Sequence, residues 1–373
     1  MSFKSNPFWN AAFLVAGITI GASELGLPVS LRHAGYLPAV AGMLGVYFCM
    51  LASGILLARL FIRERRRDLP ALFQKYLGNT GAILFNVSYF SLAFCLLVAY
   101  WSGLKGVFDS FNFGLTVIII GVVLFYCLRK NFKLLYRLNS IFTTGLIICF
   151  ILLITASLKP SDSSLFQFAD WMQLASSLPF ILCSFGYHQV IPMVCRQLDY
   201  DRKKINGALL IGTLIPLIFN ITILSIGFRL FSVDELSEAA RLGVPVFVLL
   251  REHFNSDIFL HIGQGFSFFA IITSLLGVSM AMHGALRDIF KDWKFLKQCV
   301  EVLILIPLPI AMLRPQLFFI VLGIAGGIFG NLMAGLLPVT PFLLGKSFRF
   351  RYFILWLAFL AIFILECINL YFS

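Results

Sequence analysis

Long apolar stretches separated by short polar connections run along the whole chain. With windows of about 19 residues, eleven stretches qualify as candidate membrane spans. A hydrocarbon layer about 30 Å thick requires helices of this length, whereas an aqueous core does not. We number them span 1 to span 11, and they cover residues 8–31, 37–62, 80–104, 114–128, 138–158, 174–194, 208–230, 258–285, 300–313, 316–337 and 350–372. The pattern therefore predicts an all-α integral membrane protein.

The composition excludes a soluble domain, because 60% of the 373 residues are hydrophobic and only 12% are charged. The formal net charge of +12 comes from basic residues in short connections, so we expect membrane lipid rather than nucleic acid as the charged partner. The eight cysteines lie in or beside apolar stretches, without CxxC or His-Cys spacing. We interpret them as packing residues and predict neither a metal site nor a cofactor.

The basic residues also predict the topology. With the N-terminus in the cytoplasm, 22 of the 29 Lys and Arg residues fall in cytoplasmic connections. The positive-inside rule therefore predicts a cytoplasmic N-terminus and a periplasmic C-terminus. The longest outer connection, residues 231–257, mixes acidic residues with the apolar stretch 244–250. We expect either a short amphipathic helix over the outer mouth or an ordinary surface loop.

Spans 1 and 6 each carry helix-weakening residues near mid-membrane. Gly21 in span 1 is followed by Pro28, and Gly186 in span 6 is followed by Pro192. An interrupted helix frees backbone N–H and C=O groups, which cost several kcal/mol each in hydrocarbon unless something satisfies them. The ends of half-helices suit a carboxylate and a cation, so two facing breaks would form a site for a zwitterion. For either segment alone, the alternative is a packing glycine with a proline kink.

The spacing of the two breaks predicts an internal repeat. They lie five spans apart, and a repeat with an odd number of spans inserts its second copy upside down. We therefore expect a first five-helix repeat at residues 1–158 and a second, inverted repeat at residues 171–345. Residues 346–373 would form an additional C-terminal helix.

At these same residues the chain resembles the bacterial hydroxy and aromatic amino acid permeases, the tryptophan/tyrosine permease family of the amino acid-polyamine-organocation superfamily. Residues 17–28 are similar to the family's Gly-x-x-Ile-Gly-Ala-Gly-x-x-Ala-Leu-Pro, and residues 178–192 to its Leu-Pro-x-x-x-x-Ser-Phe-Gly-Phe-His-x-x-Ile-Pro. Further agreement lies at residues 211–217 and 273–277. The resemblance implies a LeuT-type bundle of five plus five inverted helices in a bacterial cytoplasmic membrane, with substrate held between spans 1 and 6.

The function that the resemblance implies is secondary active import of an amino acid, tyrosine or tryptophan, by proton symport with alternating access. The alternatives are a sodium-coupled or exchange transporter of another small amino acid, and a non-transporting amino acid sensor on the same scaffold. Ser23, Glu24 and Gly26 depart from the family pattern beside the expected substrate carboxylate. An enzyme is not indicated, because the spans contain no HExxH, GxSxG or paired aspartates.

Candidate site residues surround the two breaks. The expected substrate-binding residues are Gly21, Ala22, Ser23, Glu24, Ser184, Phe185, Gly186, Tyr187 and His188, and the expected cation-coupling residues are Glu24, Thr273 and Ser274. An ionisable group near the bilayer centre costs at least about 2.5 kcal/mol, which makes Glu24 a candidate for the coupling proton. It could instead meet a substrate ammonium, or stay neutral and hydrogen-bond the unwound backbone.

Some of the other polar positions in the spans have more than one interpretation. Thr273 and Ser274 could hold sodium, or their hydroxyls could bond to a carbonyl one turn back. His188 could gate protons, bind substrate or simply pack. His283 at the inner end of span 8 and Glu366 near the outer end of span 11 are interpreted as interfacial residues without a functional role.

Overall fold

The helices of this computed structural model follow the predicted spans closely. It describes residues 6–65, 68–108, 110–156, 164–249, 257–314, 317–344 and 349–372. Over these ranges, eight helices are long and apolar enough to cross a membrane, and the bent pair Pro7–Thr19 and Ala22–Leu31 forms a further crossing. The helix Ser110–Lys130 and the shorter apolar segment Val300–Leu313 occupy the positions of spans 4 and 9. Each of the eleven predicted spans is therefore matched by helix, which confirms the all-α membrane class.

The bounds of the remaining crossings differ from the predicted ones by a few residues in most cases. Spans 2, 3, 5, 6, 7, 8, 10 and 11 correspond to Tyr36–Glu64, Leu69–Gly103, Phe132–Ala156, Trp171–Gln197, Arg202–Leu230, Asp257–Ile289, Phe318–Leu344 and Phe350–Phe372. The expected repeat boundaries at residues 158 and 345 lie outside the described residues.

Span 3 begins 11 residues before its predicted start at residue 80, at Leu69. Asp68 caps this helix by accepting a hydrogen bond from the Ala71 N–H at 2.8 Å, and Pro70 stands in its first turn. Gly78, with a φ of 68°, breaks the helix where the apolar stretch begins. The hydropathy window detected only the apolar part, because the first turns carry polar side chains.

Span 10 contains a wide helical segment that the sequence pattern did not predict. The chain forms a regular helix at Phe318–Ile324, a π-helix at Ala325–Leu336 and a regular helix again at Leu337–Leu344. This π segment packs against spans 3, 6 and 11. Elsewhere the first half of span 1 packs on span 7, and span 8 packs on spans 5 and 3.

The outer connection contains a helix, which was one of the two alternatives expected from the sequence. It covers Val233–Leu242 and begins with a capping box between Ser232 and Glu235. Gly243 ends it in the left-handed conformation with a φ of 68°. The helix packs against Leu27–Leu31, the second half of span 1. The apolar stretch that follows is described as far as residue 249.

Two interfacial assignments from the sequence are wrong. His283 is buried, and its Nε2 lies 3.2 Å from the Glu301 Oε1 of span 9. Glu366 is also buried, because Gly323 and Gly327 of span 10 leave room for it: a Cβ at either glycine would lie within 3 Å of the Glu366 side chain. Long polar side chains near helix ends can turn inward when the neighbouring helix offers a partner or a glycine face.

Candidate functional site

The first break lies in the middle of span 1. The helix Pro7–Thr19 ends where Ile20 and Gly21 become extended, and Ala22–Gly26 then forms a tight 3-10 turn. The two halves of span 1 meet at an angle of 41°. Span 8 approaches closely here, because a Cβ at Gly21 would lie 2.8 Å from the Ser274 Oγ. A glycine at this position therefore lets span 8 touch the unwound backbone.

Protein side chains satisfy two of the freed backbone amides. The Gly21 N–H donates to the Glu24 Oε2 at 2.8 Å, and the Ala22 N–H donates to the Ser274 Oγ at 2.9 Å. The Ser274 hydroxyl itself donates to the Ala270 carbonyl at 2.8 Å. The Ser23 hydroxyl lies 3.5 Å from the Glu24 Oε2. The break is thus held by one local carboxylate and one hydroxyl from span 8.

Glu24 is almost fully enclosed, with 1% of its surface exposed. Its second oxygen, Oε1, has no hydrogen-bond partner within the described ranges. The groups that interact with it electrostatically include Tyr100 of span 3 and Cys183 of span 6. No Lys, Arg or His in the described part of the chain forms an ion pair with it. A buried carboxyl in this setting is expensive in its charged form.

The second break lies in span 6 between the helices Trp171–Cys183 and Ile191–Gln197. Residues 184–187 are not helical, and a short 3-10 turn at His188–Val190 starts the second half. The Ser184 Oγ and both ring nitrogens of His188 are buried without a hydrogen-bond partner in the described structure. The Asn220 Nδ2 of span 7 lies 3.5 Å from the Ser184 carbonyl oxygen. This break leaves more polar atoms unpaired than the first one.

Two aromatic residues of the second break point toward span 2. The Tyr187 hydroxyl donates to the Met50 carbonyl at 3.0 Å, and its ring lies 4.6 Å from that of His188. The Phe185 ring lies 6.2 Å from the Tyr47 ring. Their side chains therefore belong to the packing between spans 2 and 6.

A cavity of about 540 Å³ lies between the breaks, within the range of small-molecule sites. Of the expected site residues, its lining includes Gly21, Ser23, Gly186, Thr273 and Ser274. Its lining does not include the other expected residues, Ala22, Glu24, Ser184, Phe185, Tyr187 and His188. Polar lining residues that the sequence did not single out are Thr19, Tyr100, Asn139, Thr143, Cys183 and Gln189.

The hydroxyls of Thr273 and Ser274 are already hydrogen-bonded within span 8. Thr273 Oγ1 donates to the Phe269 carbonyl at 2.7 Å, and Ser274 bonds to Ala270 as described. This matches the alternative of hydrogen bonding one turn back. No group of three or more His, Cys, Asp or Glu side chains among the described residues could hold a metal ion.

The cavity extends to one side of the membrane. Its lining includes Phe13 and Gly17 in the first half of span 1, and Asn139 and Thr143 near the start of span 5. These segments adjoin the connections rich in Lys and Arg. Phe13 is 59% exposed, so the cavity wall on this side includes a residue that the protein does not cover. On the other side, Gly26 packs so tightly that a Cβ there would lie 2.3 Å from the Phe180 ring.

The chain is similar to known transporters along most of its length. The profile of the tryptophan/tyrosine permease family matches residues 4–364. The tyrosine-specific transport system 2 of Haemophilus influenzae is 26% identical over 340 residues, which cover 86% of this chain and 84% of the relative. A tryptophan-specific transport protein of Pseudomonas aeruginosa is 26% identical, covering 84% and 81%. The glutamine transporter 2 of Aliivibrio fischeri is 24% identical, covering 87% and 85%.

The fold is similar to that of solved structures. A crystal structure of a mutant manganese transporter from Eremococcus coleocola superposes with a TM-score of 0.58 and 14% sequence identity, covering 99% of this chain and 88% of that one. At this identity the likeness shows the fold alone. It confirms the expected LeuT-type helical bundle over the whole chain.

Proposed function

Because the chain belongs to the tryptophan/tyrosine permease family, we propose that it imports an aromatic amino acid across a bacterial cytoplasmic membrane by proton symport with alternating access. It is an amino acid permease and not an enzyme. The observation that carries the proposal is the cavity of about 540 Å³, which has Gly21 of the first break and Gly186 of the second in its wall.

An aromatic substrate is favoured by the cavity wall and by the relatives. Phe150 and Phe219 line the cavity with their ring centroids 4.3 Å apart, which offers an apolar surface for an aromatic side chain. Two of the relatives described above carry tyrosine or tryptophan in their names. The glutamine-transporting relative and the amide side chains of Asn139 and Gln189 in the wall support glutamine as the second candidate.

We assign direct and indirect roles to the expected binding residues. The backbone of residues 21–23 and of Gly186 would meet the polar end of the substrate, since Gly21, Ser23 and Gly186 line the cavity. Ser184, Phe185, Tyr187 and His188 would position the second break from behind. The proposed topology places the N-terminus in the cytoplasm, so the open end of the cavity beside the basic connections would face the cytoplasm.

For the coupling ion, the contacts of Glu24 favour a proton. Its carboxyl group is buried beside the cavity wall without a cation partner in the described chain, and such a group is more stable when it is protonated. Sodium at Thr273 and Ser274 is the second mechanism. It has less support, because the Ser274 Oγ already accepts the Ala22 N–H with a lone pair that sodium would need.

The test is uptake by purified protein in proteoliposomes. We expect labelled tyrosine or tryptophan to accumulate when an inward proton gradient is imposed, at fixed sodium concentration, and accumulation to stop when the gradient is collapsed. Competition by a panel of twenty amino acids identifies the substrate, with glutamine as the informative non-aromatic member. Failure of every amino acid to enter would contradict the transporter, and binding without exchange would indicate a sensor.

A further inference from the structure

The backbone amide of Gly21 lies in the cavity wall, but it already donates a hydrogen bond to a side chain of the protein. Gly21 lines the cavity, whereas Glu24, which accepts its N–H at 2.8 Å, does not. A substrate carboxylate that reaches the first break therefore meets an amide that bonds to a carboxyl group of the protein itself. Both carboxyl groups need the same donor.

The neighbouring amide is held in a different way. The Ala22 N–H donates to the Ser274 Oγ, and that hydroxyl is fixed by its own bond to the Ala270 carbonyl. A serine hydroxyl does not change its charge in the physiological pH range. Of the two amides, only that of Gly21 bonds to a group whose accepting power changes when it binds a proton.

We propose that Glu24 is an internal competitor for the substrate carboxylate: ionised, it holds the Gly21 N–H, and protonated, it releases that N–H to the substrate. This inference rests on the proposed function, an amino acid permease coupled to protons. It names the coupling step and requires a substrate that carries a carboxylate.

The exchange follows from the hydrogen-bonding capacity of a carboxyl group. An ionised carboxylate accepts strong, charge-assisted bonds, whereas in a carboxyl group protonated on one oxygen the other is a neutral carbonyl oxygen, which accepts more weakly. The Glu24 Oε1 is buried and unpartnered among the described atoms, so it offers a place for the proton. While Glu24 is ionised, its charge also repels a second carboxylate at the same amide.

The surroundings of Glu24 do not supply another charge that could take over this role. The first break packs against span 8, span 7 and the segment Val246–Leu249. The titratable groups of the described chain that interact electrostatically with Glu24 include Tyr100 and Cys183, both neutral acids in their ordinary state. Among the described residues, no basic side chain pairs with it from any of these elements.

The consequence is reciprocal coupling between proton and substrate. If protonation frees the amide for the substrate, the bound substrate must in turn favour the protonated state by the same factor. Substrate and proton then bind together and leave together, which is the requirement for symport. A ligand without a carboxylate does not compete with Glu24, and its binding is independent of this titration.

The experiment measures binding of labelled L-tyrosine to purified wild-type protein between pH 6 and pH 9, with L-tryptophan and L-glutamine as alternative probes. In the pH range in which Glu24 is ionised, we expect the affinity for tyrosine to fall about tenfold per pH unit, which is the slope for uptake of one proton. In Glu24→Gln the affinity should be independent of pH. Ser274→Ala is the matched control, because it removes the acceptor of the Ala22 N–H. In this variant the affinity should change by the same factor at every pH, and the slope should be retained.

A second measurement needs no variant. Tyramine has the ring and amine of tyrosine but no carboxylate, so its binding to the wild type should stay constant over the pH range in which tyrosine binding falls. Equal slopes for tyrosine and tyramine, or an unchanged slope in a well-folded Glu24→Gln protein, would overturn the competition while leaving the transporter intact. If no amino acid binds the wild type at any pH, both the competition and the proposed function fail.

Discussion

Tyr187 shows how a single residue shapes the second break from outside the cavity. Its hydroxyl reaches the Met50 carbonyl of span 2 over the surface of Gly54. A Cβ at Gly54 would lie 2.0 Å from the Tyr187 hydroxyl oxygen and 2.7 Å from its Cζ. The position of the ring, and with it the course of residues 184–187, therefore depends on the absence of a side chain in span 2.

We expect Gly54→Ala to destabilise the protein by about 1–3 kcal/mol, because the added methyl group displaces a fully buried ring. Gly45→Ala in the same helix is the matched control, since nothing lies within 4 Å of a Cβ there. Helix propensity predicts a gain of up to about 1 kcal/mol for the control. Thermal unfolding of both variants in detergent measures the difference, and equal midpoints would contradict the role of Gly54.

At the scale of single residues, the sequence predicted the positions of the two breaks but only part of the cavity wall. Gly21 and Gly186 were predicted because glycine followed by proline is visible in an apolar run. Asn139 and Gln189 were missed, since a polar residue near a helix end looks the same whether it faces a cavity or the membrane surface. Neighbours of Gly186 along the chain, such as Tyr187, face span 2, because the backbone of the break is not helical and does not keep the helical order of faces.

At the scale of elements, the outer helix Val233–Leu242 is attached to span 1 by a specific contact. The Arg32 Nε donates to the Ser237 Oγ at 3.0 Å, and a second guanidinium nitrogen donates to the Val29 carbonyl at 2.5 Å. Arg32 lies directly after Leu27–Leu31, the outer half of the broken span. Arg32 therefore adds a polar contact to the packing between the outer helix and this half of span 1.

Ser237→Ala should loosen this attachment. Loss of a hydrogen bond to a charged group costs about 1.5–3 kcal/mol when it is buried, and less here because both partners are partly exposed. We expect faster amide hydrogen exchange in Val233–Leu242 and Leu27–Leu31. Glu238→Gln is the control, because it breaks only the exposed ion pair between Glu238 and Arg241, which contributes little. If both variants exchange at the same rate, Arg32 does not hold the outer helix.

The elements themselves were well predicted where the physical signal is hydrophobic length. Apolar runs of membrane-spanning length fix the number and order of the helices. The π segment Ala325–Leu336 was not predicted, because its backbone widens in response to tertiary partners. Asn331 donates to the Phe359 carbonyl of span 11 at 2.8 Å, and Ser53 of span 2 donates to the Ala334 carbonyl. Both contacts join residues far apart in the sequence.

For the whole molecule, the distribution of Lys and Arg predicts the orientation in the membrane. Two exposed positions on opposite sides test it, Lys203 at the start of span 7 and Asp234 in the outer helix. In a variant with the eight native cysteines replaced by serine, Asp234→Cys should react with a membrane-impermeant maleimide in intact cells. Lys203→Cys should react only after permeabilisation, and the reverse pattern would contradict the predicted topology.

The hydrogen bond between the Ala22 N–H and Ser274 also has a consequence for how the protein is made. Its partners lie 252 residues apart, so span 1 enters the membrane long before span 8 leaves the ribosome. Until then this amide of the unwound turn lacks its final acceptor, and water, lipid headgroups or the insertion machinery must satisfy it. The proposed substrate site is therefore completed late in biosynthesis, when span 8 packs against the first break.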